Sequence, residues 1–253
     1  MNGHNDSCKQ GERIDDLLSP SFKIIQHQDQ FRFTLDAVLL ANFVQVKKHE
    51  GLIDLGTGTG IVPLVIAARQ QPRKIIGIEI QGELVDMASR SVALNGLTDK
   101  ISIKEMDLRQ AANTLGHGSA DVVSANPPYW PLGNGLKNPL DAVAIARHEI
   151  YCTLEDVMKA ASQLLKFRGR FYLIHLAERL ADVFCYGRMY QMEPKLIRFV
   201  HSFAGDPAKF LLVQMVKGAK PAIKVMAPLI VYEQPGIYTN EVYRYYDQKG
   251  AGI

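Results

Sequence analysis

Cysteine is scarce in this chain. Three occur in 253 residues, Cys8, Cys152 and Cys185, and none stands in C-x-x-C spacing. The scatter and the odd count argue against a disulfide framework and a zinc site, and for a reducing cytosol. Cys185 is expected in the core. No apolar run approaches the roughly 20 residues that cross a membrane. Residues 1–16 are polar, with no apolar signal segment. They read as a loose tail leading into a short helix around residues 13–18. Charge of one sign is missing too: 29 Lys and Arg stand against 26 Asp and Glu, a net of +3 that names no partner. Repeats and low-complexity stretches are absent. Hydrophobic residues make up 47%, ordinary for a soluble protein and enough to bury a substantial core in one large α/β domain.

What the chain does have is order. Strand and helix patterns alternate over residues 51–191, which predicts βαβ units and a parallel sheet. A helix begins near Gln81 and ends at Asn95-Gly96. Thr153-Leu154-Glu155-Asp156 starts another, with an N-cap and an acidic first turn, reaching about Phe167. Residues 169–174 follow as a strand. Residues 196–203 and 209–216 are two strand-like runs joined by a Gly-Asp-Pro turn, a hairpin that places one antiparallel strand in a parallel sheet. Residues 22–33 alternate like a β-hairpin, and residues 36–44 read as a helix. The tail over 227–246 is tyrosine-rich, and Tyr243, Tyr245 and Tyr246 are expected to pack on the core.

Four predicted strands end in residues with chemical potential. Asp121-Val122-Val123-Ser124-Ala125 reads as a buried strand and runs into Asn126-Pro127-Pro128-Tyr129. The carboxyl end of a strand is where open α/β sheets place their ligands. An Asn oxygen accepts hydrogen bonds, and the Pro127-Pro128 peptide offers a carbonyl with no competing N–H. Tyr129 adds a face for a flat ring. Two acceptors and an aromatic lid suit a planar amino group. Upstream, Leu52-Ile53-Asp54-Leu55 ends in the turn Gly56-Thr57-Gly58-Thr59-Gly60, and a helical pattern follows. Glycines there let a ligand approach a helix N-terminus. The dinucleotide fingerprint needs a glycine where Ile61 stands. Asp54 before the alternate glycines suits the ammonium of an amino-acid end. A second strand, residues 74–79, ends in Glu79, where a carboxylate accepts both ribose hydroxyls. A third, residues 101–107, ends in Asp107, which suits an adenine amino group, with the Leu108 N–H suited to the ring.

Together these residues resemble the class I S-adenosylmethionine-dependent methyltransferases, and Asn-Pro-Pro-Tyr is similar to the motif of those that methylate amino groups. Two flanking patterns narrow the resemblance. Phe33-Thr34-Leu35-Asp36-Ala37-Val38-Leu39-Leu40 and Ala146-Arg147-His148-Glu149 look like the bacterial family that methylates adenine N6 in the anticodon loop of valine tRNA. The resemblance runs over about residues 22–246. It implies a Rossmann-like α/β fold: a seven-stranded, mostly parallel sheet with one antiparallel strand and helices on both faces. It implies S-adenosyl-L-methionine as cofactor, a tRNA or other RNA substrate, no metal, no membrane and a cytoplasmic location; no oligomer is predicted. Cofactor contacts are expected from Asp36, Asp54, Gly56, Gly58, Gly60, Glu79, Ile80, Asp107 and Leu108, and catalysis from Asn126, Pro127, Pro128 and Tyr129. In such enzymes the segment before the glycine loop covers the methionine end, where Asp36 is a candidate and Thr34 reads as a helix N-cap.

The chain then divides into residues 1–50 (tail, hairpin and covering helix), a methyltransferase domain over 51–246, and a C-terminal tail over 247–253. The loop over residues 130–145 is rich in Gly, Asn and Pro beside the motif, as a lid or substrate-binding element is. Trp130 is a candidate for stacking or loop anchoring, and Arg147 and His148 for phosphates. Residues 147–224 hold thirteen Lys and Arg against seven Asp and Glu, the footprint of a phosphate contact or simply a solvated surface. Other readings stay open: an rRNA guanine-N2 or a protein glutamine-N5 methyltransferase, and an RNA-binding module without catalysis. An NAD oxidoreductase fits poorly, given Ile61.

Overall fold

Adjacent residues on the central strands are buried on opposite sides. Leu52 and Ile53, Val122 and Val123, and Phe171 and Tyr172 are all at most 4% exposed, and each pair splits between two hydrophobic clusters. A sheet apolar on both faces needs helices on both. The computed structural model, which describes residues 8–18, 22–28, 35–129 and 152–246, has that architecture.

In chain order the elements are β1 (Glu12–Asp16), β2 (Lys23–His27), α1 (Leu35–Phe43), β3 (Gly51–Leu55), α2 (Ile61–Arg69), β4 (Lys74–Glu79), α3 (Gly82–Leu94) and β5 (Ile101–Glu105). After them come α4 (Ala111–Leu115), β6 (Ala120–Ala125), α5 (Leu154–Leu164), β7 (Leu165–Leu176), α6 (Leu180–Met189), β8 (Met192–His201) and β9 (Ala208–Lys217). The chain closes with β10 (Lys224–Val225), β11 (Leu229–Ile230), the small pair β12 (Tyr232–Gln234) and β13 (Ile237–Tyr238), and α7 (Asn240–Tyr246). The main sheet runs β10-β8-β9-β7-β6-β3-β4-β5, with β11 also on β8. Strands β5, β4, β3, β6 and β7 are parallel. Strand β9 is antiparallel to both its neighbours. The expected seven strands with one reversed are therefore there, and two two-residue strands bring the sheet to nine.

One core face collects α1, α2, Val92 of α3 and Val242 of α7, together with Leu17, Leu18 and Ile24. The other collects Ala111 and Ala112 of α4, five residues of α5 and Val183 of α6. Tyr245 and Tyr246 pack against the first face, as expected, and Tyr243 meets Tyr238 edge-on while half exposed.

Three local expectations change. Residues 12–16 form a strand rather than a helix, and they pair antiparallel with residues 23–27, so the hairpin lies earlier than the 22–33 alternation suggests. Long-range docking overrides local propensity there. The Ile25 N–H donates to Ser91 Oγ at 2.9 Å, Asn95 bonds both backbone groups of Lys23, and Arg90 pairs with Glu12. Helix α5 is capped by Thr153 in a full capping box with Asp156 but gives way to strand at Leu165, short of Phe167. Cys185 is exposed, not core. The buried stripe of α6 is Val183 and Gly187, four apart, and position 185 points off it.

Candidate active site

The strand register lines up the chemistry. Leu55 pairs with Ile78 and with Ala125, and Ile78 pairs with Lys104. The next residues, Gly56, Glu79, Asn126 and Glu105, therefore share one row along the carboxyl edge. With about 4.8 Å between strands, Glu79 and Asn126 stand about 10 Å apart, two strands away.

The glycine turn is built for close approach. Gly56, Gly58 and Gly60 all have positive φ, from 56° to 86°. A Cβ on Gly56 or Gly58 would meet nothing within 4 Å, so this backbone borders open space as a ligand cradle does. Beneath it, Gly77 is a glycine for the opposite reason: its Cβ would lie 2.9 Å from Thr57 and 2.8 Å from Ile103. The turn can thus sit flat on β4, and the Thr57 N–H donates to the Ile78 carbonyl at 2.9 Å.

Three carboxylates lie along this edge, and each is already engaged. Glu79 is 7% exposed. It accepts from the N–H of Gly58 at 3.0 Å, of Ile80 at 2.9 Å and of Gln81 at 3.0 Å. Three of its roughly four acceptor positions are taken, which leaves one for a hydroxyl. Asp54 is 1% exposed, and the Ser124 hydroxyl donates to it at 2.6 Å. Burial pushes its pKa up to about 7; the Ser124 and Thr57 hydroxyls pull it down, and the Glu79 charge adds to the rise. The Thr57 hydroxyl stays short of an aligned hydrogen bond among the described residues. Asp54 thus lies closed under the loop, braced against β6, rather than open to an ammonium. Asp107 accepts from the Arg109 N–H at 2.9 Å and from its guanidinium. Those bonds hold its carboxyl below the usual carboxylate range. Leu108 is buried beside it.

The Asn126-Pro127-Pro128-Tyr129 segment leaves β6 at the same edge, with Pro127 buried. The Tyr129 hydroxyl faces two oxygens, Asp36 Oδ2 and, at 2.7 Å, Asn126 Oδ1. Its ring stands edge-on to His175 and tilted to Phe210, with centroids 5.5 Å away in each case. Burial, then the Asp36 charge, raises the Tyr129 pKa well above the phenol range. His175 is 1% exposed, and burial lowers it to about 4, so it is neutral. Its Nδ1 accepts the Leu176 N–H at 2.9 Å, which leaves the proton on Nε2. Lys209 Nζ hangs 5.3 Å from the Phe210 centroid.

The structure gathers Asp36, Asp54, Gly56, Gly58, Gly60, Glu79, Ile80, Asp107, Leu108 and Asn126 to Tyr129 along one sheet edge. Ser124, His175 and Phe210 were missed by sequence reasoning. Ser124 had a signal, a hydroxyl inside a buried strand. His175 and Phe210 had none, because only the fold brings them to Tyr129. Cys152 packs against the second core cluster, and burial raises its thiol to about 11. Thr34, Trp130 with its loop, Arg147 and His148 lie outside the described residues. Of the thirteen basic residues over 147–224, at least six are engaged within the protein. Lys166, Arg170, Arg179, Arg188 and Arg198 pair with carboxylates, and Lys217 donates to two carbonyls. Among the described residues, no cluster of His, Cys, Asp or Glu could hold a metal ion, and no helix is long and apolar enough to cross a membrane.

Comparison with known proteins bears on this edge. The chain is 28% identical over 234 residues to a tRNA1(Val) (adenine(37)-N6)-methyltransferase of Porphyromonas gingivalis, covering 88% of this chain and 90% of that one. It is 26% identical to the enzyme of the same name from Pedobacter heparinus, with 87% and 91% covered. Among solved structures, a predicted O-methyltransferase from Agrobacterium tumefaciens superposes with a TM-score of 0.68 at 23% identity, over 86% of this chain and 97% of that one. That likeness speaks for the Rossmann-like methyltransferase fold. The model of one family, described as the methyltransferase small domain, matches residues 34–179. The match runs from the helix of Asp36 through the glycine turn and past Tyr129, over more than half of the chain, and the protein belongs to that family.

Proposed function

We propose that the protein methylates an exocyclic amino group of RNA, adenine N6 in a tRNA anticodon loop, with S-adenosyl-L-methionine as methyl donor. The observation that carries this reading is Asn126-Pro127-Pro128-Tyr129 in register with the glycine turn, two strands from Glu79. The names of the two relatives point to the same substrate.

The residues present fit the cofactor: open space over Gly56 and Gly58, a spare acceptor on Glu79, and Asp107 beyond it. When bound, S-adenosyl-L-methionine supplies a sulfonium-activated methyl group. The Gly58 and Gly60 backbone would hold its amino-acid end, with Asp54 bracing the turn from below. Glu79 would take a ribose hydroxyl, with Ile80 beside it. Asp107 would exchange part of its Arg109 contact for the adenine amino group, and Leu108 would lie against the ring.

An adenine amino nitrogen is a poor nucleophile, because its lone pair is delocalised into the ring. The Asn126 side-chain oxygen and the Pro127 carbonyl accept its two N–H bonds. They favour pyramidal nitrogen and stabilise the positive charge that grows there. One proton then leaves to solvent, and no strong base is needed. Positioning supplies much of the rate. Tyr129 holds the ring, and a tRNA loop lets the base leave its stack at less cost than a duplex would. Lys209, beside Phe210, is placed for a neighbouring phosphate. Work on tRNA sets the protein in the cytoplasm.

The test is transfer of labelled methyl from S-adenosyl-L-methionine into total bacterial RNA and, separately, into cell protein, followed by nucleoside analysis. N6-methyladenosine in tRNA is the expected product. N2-methylguanosine would move the substrate to guanine, label in protein alone would move it to a glutamine amide, and no label would leave an RNA-binding module.

A further inference from the structure

Tyr129 has one phenolic proton and two oxygens within reach of it. Asp36 Oδ2 is one and Asn126 Oδ1, at 2.7 Å, is the other. A charged acceptor makes the stronger hydrogen bond. Asp36 is also fixed: it is 7% exposed, and its Oδ1 already accepts the Ala37 N–H at 2.8 Å. The proton therefore goes to Asp36. The phenol oxygen then presents only lone pairs to Asn126. An amide oxygen held at 2.7 Å from those lone pairs is repelled. The two ends of an amide have nearly the same shape, and the surrounding network decides which faces where. Turned over, Asn126 donates from Nδ2 to the phenol oxygen, and its Oδ1 points away from Tyr129.

We propose that Asp36 is a positioning residue for the acceptor pocket: by taking the Tyr129 proton it turns the Asn126 amide so that Oδ1 faces the target amino group. With the carboxylate at position 36 replaced, the phenol proton turns to Asn126 Oδ1, and the amide presents N–H to a substrate that also presents N–H. The helix that was expected to cover the methionine end of the cofactor thereby sets the polarity of the acceptor pocket. This inference rests on the methyl-transfer reading above for its activity arm only.

Four proteins test it: wild type, Asp36→Asn, Tyr129→Phe and the double variant. Asp36→Asn is expected to lower kcat about 10-fold or more, with the cofactor titration changed less than about twofold. In the Tyr129→Phe background the same change is expected to cost nothing, because no phenol proton remains to compete. Equal loss in both backgrounds would overturn the relay, as would a weakened cofactor titration with kcat intact, which would give Asp36 to the cofactor. A second readout needs no substrate. The side-chain amide ¹⁵N signal of Asn126, identified by its loss in Asn126→Ala, is expected to move on Tyr129→Phe and on Asp36→Asn. An unmoved signal would overturn the proposal. A wild type that methylates no RNA, with the signal moving as expected, would sink the methyl-transfer reading and leave the relay standing.

Discussion

Glu79 is held by backbone N–H groups no more than 21 residues away in the chain. Tyr129 is held by Asp36, 93 residues away, and by rings on β7 and β9. The proposed cofactor half of this edge is thus built mostly of backbone turns close in the chain, with Asp107 held by its own strand end, Glu79 shared with the neighbouring turn and Asp54 alone reaching across to Ser124. The acceptor half is made of side chains from four separate segments. Local assembly gives a rigid cradle that tolerates change elsewhere. Long-range assembly makes the pocket depend on the whole fold, and it allows one helix to set the orientation of another segment's amide.

Variants on the two sides should therefore fail differently. Asn126→Ala is expected to give the largest effect, a loss of about 100-fold in kcat with cofactor affinity unchanged in a titration. Full turnover in that variant would remove the distinction between the halves. Glu79→Ala should do the reverse, weakening cofactor affinity about 10-fold or more because an acceptor and the anchor of the Gly58 N–H are lost together. An unchanged binding isotherm would refute the assignment.

Asp54 joins the halves, since it sits on β3 and is bonded to Ser124 of β6. Folded, it ionises at about 7; unfolded, near 3.9. The neutral acid is the form the fold favours. Its contribution is whole below about pH 4 and is lost as pH rises through about 7, an effect of about 2–4 kcal/mol. Melting temperature should thus fall between about pH 4 and 7, and Asp54→Asn should flatten that fall. Parallel profiles for the two proteins would show that Asp54 ionises without strain. The smallest effect belongs to Cys185→Ser, which should move stability by less than about 0.5 kcal/mol, because the thiol is exposed. A larger loss in a melt would return Cys185 to the core.

The same difference decides what could be read from the residues alone. The glycine turn, Glu79 and Asp107 announce themselves because a strand end and the residues after it are contiguous. The reversed strand β9 was legible too, since Gly-Asp-Pro between two apolar runs forces a hairpin. The β1–β2 pair was not, because Arg90 and Ser91 of α3 and Asn95 at its C-cap draw it into place. Nor was the ring of His175 or Phe210 beside Tyr129, which depends on β7 and β9 being neighbours. The side chain of Asp54 misled for a similar reason: its place on the strand was right, but its direction is set by Ser124 across the sheet.

The last turn of the fold sets a timetable. Val242 of α7 is fully buried in the cluster that also holds Val38 of α1, and the Arg69 guanidinium bonds the Arg244 carbonyl at 2.9 Å. A ribosome making this chain has finished the glycine turn, Glu79 and Asp107 about a hundred residues before it reaches Phe210. A domain folds as a unit, so early residues wait for late ones. The glycine turn and its carboxylates are therefore made early, but the helix bearing Asp36 waits for its final brace until α7 arrives. The two ends of the described chain therefore close on one another, and the helix that carries Asp36 is fully packed only when the last helix has docked.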